Sequence, residues 1–258
     1  MPVPLERCPF CRGDDTRQVW RKVGFDRCSA CGLYFRNPMP TDAELESLYG
    51  EAWKEPDSER SETGGTEAML ARAYARELAR SIGRRSLAGF RILDFGAGRG
   101  AMLDALCEAG AEVCAVDPFG HEYLQSRGYE CHPELRGVQG SLDGIVMIDV
   151  LEHLRSPWET LCELRDRLGE GGWICVVVPN PTGLNARLMR GRWREARKPG
   201  HLVFPSPRTM VQMLERAGFV RVRCLRWHIR YHGFPRWILD SVLQSVGLDG
   251  GLRYLAWR

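Results

Sequence analysis

Four cysteines in two close pairs, Cys8-Pro-Phe-Cys11 and Cys28-Ser-Ala-Cys31, form the first group of residues with chemistry to offer. A two-residue gap lets both thiolates of a pair turn onto one ion, and two pairs complete the closed tetrahedral set of a structural zinc. The spacing predicts a zinc ribbon over residues 1–40 with Cys8, Cys11, Cys28 and Cys31 as ligands. No position stays open for water or substrate, so this zinc is expected to hold structure, not to catalyse. A segment of about 35 residues cannot build a useful core, and metal binding on the order of 10 kcal/mol must supply its folding energy. The other six cysteines, Cys107, Cys114, Cys131, Cys162, Cys175 and Cys224, share no spacing and read as small core residues.

The second group is Asp94-Phe95-Gly96-Ala97-Gly98-Arg99-Gly100, between the apolar run Phe90–Phe95 and the helical stretch Ala101–Ala109. Strand, glycine loop and helix make a nucleotide cradle: glycines permit the tight turn and close backbone approach, and the helix start offers unpaired amides. A second strand over Ala111–Val116 ends at Asp117-Pro118, about twenty residues past the loop, where a carboxylate can accept ribose hydroxyls. Together these features indicate an adenosine-containing cofactor. The loose dinucleotide fingerprint Gly96-x-Gly98-x-x-Ala101 is also satisfied, and a plain strand-to-helix turn with Asp117 as a helix cap is the bland alternative.

The elements that must position these groups follow. The 258 residues, 44% hydrophobic and 27% charged, suit one globular domain plus a small module. Thr41-Asp-Ala-Glu44 reads as a capping box opening a short helix to about Tyr49. Lys54–Thr66, with Pro56, Gly64 and Gly65, reads as a loop, and Glu67–Ile82 as a longer helix. Strands near 90, 111, 129, 144, 172 and 219, alternating with helices, predict an α/β doubly wound sheet with ligands at the strands' carboxyl ends. The expected division is 1–40 zinc ribbon, 41–88 helical linker able to cover an active site, and 89–258 catalytic domain.

The longest apolar stretch, Trp173–Val178, is far below the roughly 20 residues of a membrane span. The N-terminus has no basic start leading into an apolar stretch, and a cytoplasmic protein is expected. With 36 basic against 33 acidic residues, net charge predicts no particular partner.

The D-x-G-x-G-x-G loop resembles motif I of the class I S-adenosylmethionine-dependent methyltransferases, with Asp117 matching their ribose-binding acid. Asp143-Gly-Ile-Val-Met-Ile-Asp149-Val-Leu-Glu152-His153-Leu154 is similar to the fourth-strand segment of the ubiquinone O-methyltransferase-like and small-molecule branches. Gly171–Asn180 resembles their fifth strand, and His201–Ser206 with Thr209–Phe219 the loop and helix before the sixth. The resemblance implies a seven-stranded Rossmann-like methyltransferase sheet, its antiparallel seventh strand placed at Leu252–Trp257 after an amphipathic helix over Pro235–Val246 that carries Phe234, Trp237, Ile238, Val242 and Val246 along one face or beside it. It implies S-adenosyl-L-methionine as cofactor, held by Asp94, Phe95, Gly96, Ala97, Gly98, Gly100, Asp117, Pro118 and Asp149. The ribbon with Asn37-Pro-Met-Pro40 also resembles the module ahead of some sugar C-methyltransferases.

Methyl transfer needs mainly positioning, plus a base when the acceptor is protonated. His153 is the first candidate base, Glu152 orients it or acts itself, and His201 is the second candidate. Trp193 and Asn180 are placed as pocket walls. The basic run Arg187, Arg190, Arg192, Arg194, Arg197 and Lys198 suits phosphate, although such a run is more often a solvated face.

The expected acceptor is a hydroxyl or carbon of a small metabolite, sugar or polysaccharide precursor, with nucleic acid disfavoured. Two features weigh against a zinc-ribbon RNA methyltransferase: the second ligand pair is Cys28 and Cys31, without histidine, and the chain reads Asp149-Val-Leu-Glu152 where many base N-methyltransferases have Asn/Asp-Pro-Pro-aromatic. The ribbon's aromatics, Phe10, Trp20, Phe25, Tyr34 and Phe35, are expected to pack around the metal. The remaining alternative is a cofactor-binding protein without catalysis.

Overall fold

The computed structural model describes residues 4–54, 61–227 and 242–258. Near-continuous apolar runs form the middle of the main sheet, as expected of strands covered on both faces. They are β4 (Arg91–Phe95), β7 (Leu142–Ile148) and β8 (Leu168–Pro179). With β5 (Glu112–Val116), β6 (Cys131–His132), β10 (Val220–Cys224) and β11 (Gly251–Trp257) they give seven strands in the order β10-β11-β8-β7-β4-β5-β6. The strands from β8 through β6 pair in parallel, and β11 runs antiparallel to both β8 and β10. The α/β doubly wound methyltransferase sheet read from the sequence is therefore the observed fold.

Side-chain alternation sends Leu93, Ile145, Met147, Ile174 and Val176 into one core and Ile92, Val146, Cys175 and Val177 into the other. Helices α2 (Ser61–Ser81) and α3 (Ala101–Glu108) cover the second face. The first is covered by α5 (Pro157–Arg167), α8 (Pro207–Arg216) and the N-terminal module. Helix α4 (His121–Ser126) lies between β5 and β6, and α6 (Leu184–Met189) and α7 (Arg194–Arg197) follow β8. Ser206 caps α8, its hydroxyl accepting from the Thr209 amide, with Pro207 pre-set at the first turn.

The N-terminal module is a three-stranded antiparallel meander, β1 (Thr16–Trp20), β2 (Phe25–Cys28) and β3 (Tyr34–Arg36). Its sheet continues outside the module: β9 (Val203–Phe204) adds a fourth strand, pairing Phe204 with Tyr34 and Val203 with Phe35. The capping box forms as read, with the Thr41 amide donating to Glu44 Oε2 at 2.7 Å and the Glu44 amide to Thr41 Oγ1 at 3.3 Å.

Several boundaries differ from the sequence reading. Helix α1 runs from Asp42 to Lys54, beyond Tyr49. Residues 61–66, read as loop, form the first turns of α2 despite Gly64 and Gly65, because packing of the helix against α3 overrides a weak local propensity. Most of the amphipathic helix expected over Pro235–Val246, with Phe234, Trp237 and Ile238, lies outside the described residues. Val242 and Val246 are exposed. Of the six scattered cysteines, Cys114, Cys131 and Cys175 are buried and Cys162 is half-buried, whereas Cys107 and Cys224 are exposed. The last two sit at a helix end and on an outer strand, where the core does not reach.

Candidate active site

The chain leaves β4 for β5 and β6 on one side and later returns to β7 on the other, so the carboxyl ends of β4 and β7 diverge. A crevice opens at such a switch point. It is a cleft of about 770 Å³, within the range of small-molecule sites. Asp94, Gly96, Ala97 and Gly98 form one wall and Ile148, Asp149 and His153 another.

The glycine loop is shaped by contacts that only glycine permits. Gly96 has φ +82°, and a Cβ there would lie 2.4 Å from Val150 Cγ2. Gly100 has φ +88°, with Leu124 Cδ2 2.8 Å from where its Cβ would stand. Asp94 is buried, its Oδ2 has no partner, and burial reinforced by the Asp117 charge pushes its carboxyl up to about 7. An unpartnered carboxyl on the cleft wall, beside a glycine turn, is what a ligand carrying N–H donors requires. Asp117 accepts from the Gly98 amide at 2.8 Å on one oxygen and from the Phe119 and Gly120 amides at 3.0 and 2.7 Å on the other. It braces the loop, and a ribose would have to share those oxygens. Phe95, Gly100, Asp117 and Pro118, read as cofactor contacts, are not among the residues that line this cleft.

Sequence reasoning missed the aromatic side of the cleft. Tyr49 and Trp53 from α1, Tyr74 from α2 and Tyr123 from α4 line it, with Arg99 4.9 Å from the Trp53 ring centre. Their signal was present in the helical spacing of aromatics over 49–74, but nothing local says which way those helices face.

Opposite the loop, a 3-10 turn over Leu151–His153 follows β7 and presents Glu152 and His153. His201 meets them from a distant segment. Its ring lies 4.5 Å from that of His153, edge to face. The N-terminal module holds this arrangement: Arg36 donates to the carbonyls of His201 (3.0 Å), Lys198 (2.9 Å) and Val23 (2.9 Å). The Leu202 amide donates to the Glu152 carbonyl at 2.7 Å and the Arg36 amide to the Leu202 carbonyl at 2.7 Å. His153 Nδ1 lies 2.7 Å from the Tyr49 hydroxyl and 3.0 Å from the Gly200 carbonyl. Burial lowers its pKa to about 4, so the ring is neutral. Burial, then the charge of Asp149, raises Glu152 well above the usual carboxylate range. Only His153 of the three lines the cleft, with Glu152 and His201 behind it.

Two residues placed as pocket walls are elsewhere. Trp193 is buried in an aromatic cluster with Trp20, Phe25 and Phe204. Asn180 is buried and holds a loop, its amide donating to the Asp249 carbonyl at 3.0 Å while its Oδ1 accepts from Thr182. In both cases the side chain found a packing or hydrogen-bonding partner that proximity in sequence does not reveal.

The four cysteines converge beside α8, where the Thr209 hydroxyl donates to the Cys31 carbonyl at 2.7 Å. The Cys8 and Cys31 sulfurs are 3.6 Å apart and those of Cys11 and Cys28 3.5 Å, and all four lie within 4.8 Å of one another. A disulfide would need about 2.05 Å. The cluster is of a size to hold a metal ion.

The methyltransferase-domain family matches residues 67–223 of the chain. Curated relatives include the tRNA U34 carboxymethyltransferase of Alcanivorax borkumensis, 32% identical over 154 residues, 54% of this chain and 48% of that protein. That of Azotobacter vinelandii is 34% identical over 158 residues with the same shares. The chain thus spans about half the length of the curated relatives it matches. Among solved structures, a SAM-dependent methyltransferase from Archaeoglobus fulgidus superposes with TM-score 0.55 at 20% identity, covering 82% of this chain and 99% of that one. Burkholderia thailandensis 1,6-didemethyltoxoflavin-N1-methyltransferase gives 0.56 at 17% identity, covering 90% and 98%.

The relatives' names overturn the expectation of a small-metabolite, sugar or polysaccharide acceptor with nucleic acid disfavoured. The features that had argued against RNA carry no such information. A second pair made of Cys28 and Cys31 could complete a metal site whatever the substrate, and the turn at Asp149-Val-Leu-Glu152 is tied to the Leu202 segment by the Leu202 amide donating to the Glu152 carbonyl. No helix among the described residues is long and apolar enough to cross a membrane. With its glycine loop, its switch-point cleft and a family match over residues 67–223, more than half its length, the chain belongs to the methyltransferase-domain family.

Proposed function

We propose that the protein transfers the methyl group of S-adenosylmethionine to a nucleoside of tRNA, and that its four cysteines hold a structural zinc. Besides the relatives' names, one surface supports the RNA reading. Between β1 with the turn after it and α6 (Leu184–Met189) lies an open groove of about 430 Å³. Val19, Leu188 and Met189 give it exposed apolar area and Arg21, Lys22 and Arg192 give it charge. Arg187 and Arg190 are exposed on the same segment. Among the described residues none of these five cations has an ion-pair partner, whereas Arg194 and Lys198 are both engaged by Glu195 at 2.9 and 2.6 Å. Uncompensated arginine forks beside apolar area suit a nucleic-acid strand, phosphates on the cations and base faces on the apolar side chains. A chain of ring contacts leads from the groove inward, Trp20 to Trp193, Phe204, His201 and His153.

S-adenosylmethionine supplies an electrophilic methyl group. Around it, the loop Gly96–Gly98 would admit the cofactor's close approach, held in shape by Asp117, and Asp94 and Asp149 on the cleft walls would accept from it. Tyr49, Trp53 and Tyr123 exclude water. The acceptor enters beside His153, with Glu152 and His201 behind it.

Zinc fits the cysteine cluster. Tetrahedral zinc–thiolate bonds of about 2.3 Å place sulfurs about 3.8 Å apart, close to the observed 3.5 and 3.6 Å. Four thiolates leave no open position, so the ion's work is to fix β2, β3 and Arg36.

The test is transfer of labelled methyl from S-adenosylmethionine to bulk tRNA, followed by nuclease digestion and nucleoside mass spectrometry. A methylated tRNA nucleoside is expected. Label confined to sugars or free metabolites would refute the reading.

A further inference from the structure

We propose that Glu152, His153 and His201 bind a divalent first-row transition-metal ion at the acceptor end of the cleft, a second metal site separate from the cysteine cluster. Each residue offers one ligand atom, and the three atoms lie within 4.8 Å of one another. Glu152 is fully buried and neither of its carboxylate oxygens has a hydrogen-bond partner. His201 is 2% exposed and its Nδ1 likewise makes no hydrogen bond, the Glu195 Oε2 standing 3.9 Å away and already engaged by Lys198. Native proteins do not bury a carboxylate unpaired beside an unpaired imidazole without something for both to hold, because desolvation goes uncompensated.

The surroundings prepare the ligands. An Nδ1–H of His153 donating to the Gly200 carbonyl at 3.0 Å leaves the Nε2 lone pair free, the arrangement by which outer partners orient metal-binding imidazoles. Arg36 and the Leu202 amide fix His201 and Glu152 against each other through their backbones. Two imidazoles and one carboxylate favour a transition-metal dication over magnesium or calcium, which prefer oxygen donors throughout. Three protein ligands leave coordination positions open, as in catalytic sites and unlike the four-cysteine cluster. Because His153 lies on the cleft wall, the open side faces the acceptor.

The role of the site rests on the methyl-transfer reading given above. A nucleoside hydroxyl drawn to the ion would shed its proton to solvent. Its oxygen then forms the new bond to the methyl carbon while the carbon–sulfur bond breaks, the electron pair staying on sulfur to give S-adenosylhomocysteine. On this account His153 is a ligand, not the base.

The experiment measures metal content without RNA. Full-length protein equilibrated with zinc and manganese is desalted and its metal-to-protein ratio determined by mass spectrometry, with manganese binding followed by its paramagnetic resonance signal. About two ions per chain are expected in the wild type and about one in Glu152→Gln and in His201→Gln, with manganese affinity lowered at least 10-fold. A ratio of one in the wild type overturns the proposal without any variant. So does an unchanged ratio in variants that retain a cooperative thermal transition. Because the readout involves no acceptor, a second ion with no tRNA labelling would sink the acceptor assignment and leave the site standing, and labelling with one ion would do the reverse.

Discussion

The glycine loop and the Glu152–His153–His201 corner sit at the ends of neighbouring strands, β4 and β7, yet they are built by different means. The loop is local: Asp94 to Gly100 is one run of chain, and its brace, Asp117, follows at the end of the next strand. The corner is assembled from afar, since His201 reaches His153 only because β9 joins the N-terminal sheet and Arg36 grips the carbonyl of His201. On the proposed reading, a cofactor shared by a whole class of enzymes would thus be held by short-range backbone geometry. On the same reading the acceptor side, which must vary, is held by the N-terminal sheet that β9 completes.

That contrast can be broken or sharpened by substitution, beginning with the largest effect. Cys8→Ser or Cys31→Ser removes one thiolate of the proposed zinc site, whose binding is worth on the order of 10 kcal/mol to a module of this size. Because the N-terminal sheet takes β9 from the main domain and shares its core, thermal unfolding is expected to begin at a markedly lower temperature in both variants. A single unchanged transition in both variants would show that the cysteines bear no structural ion.

Gly96→Ala tests the other side. It forces a Cβ to within 2.4 Å of Val150 Cγ2 at φ +82°, and left-handed strain plus overpacking costs about 2–4 kcal/mol. S-adenosylhomocysteine affinity should fall on the order of 100-fold by calorimetry, with metal content unchanged.

Asp94 gives a pH signature. Its folded pKa of about 7 lies above the unfolded value near 3.9, so the folded state binds the extra proton. Its contribution is fully present below about pH 4 and is lost as pH rises toward 7. Relative to Asp94→Asn, the wild type should therefore lose stability over that window, by on the order of 1 kcal/mol or more, in denaturant titrations at pH 4.5 and 7.5. Parallel curves would mean that Asp94 is ionised throughout.

The smallest effect concerns the groove. Arg190→Ala with Arg192→Ala should weaken tRNA binding uniformly across sequences and reduce the slope of log affinity against log salt by about 2, leaving cofactor affinity unchanged. An unaltered slope would remove the groove from the RNA path.

How much of this could be read in the sequence follows the same division. The glycine loop, the parallel strands, the seventh strand, read at Leu252–Trp257 and found over Gly251–Trp257, and the four cysteines each depend on contiguous pattern or fixed spacing. Glu152, His153 and His201 were individually legible as candidates, but their convergence was not. It depends on a two-residue strand, Val203–Phe204, too short to carry any periodicity. Tyr49 and Trp53 read as ordinary helix residues because which face a helix turns to a cleft is decided by what it packs on. Trp193 misled for the same reason, its ring being taken up by Trp20 and Phe204.

The central claim is that the cysteine module governs the acceptor side and leaves the cofactor side alone, and Arg36→Ala tests it most directly, since the guanidinium links the two through the His201 carbonyl. Losing hydrogen bonds from a charged donor, each worth about 1.5–3 kcal/mol, should cut label transfer to tRNA at least 10-fold, with S-adenosylhomocysteine affinity held within about threefold. Equal losses of both, or full transfer, would contradict it.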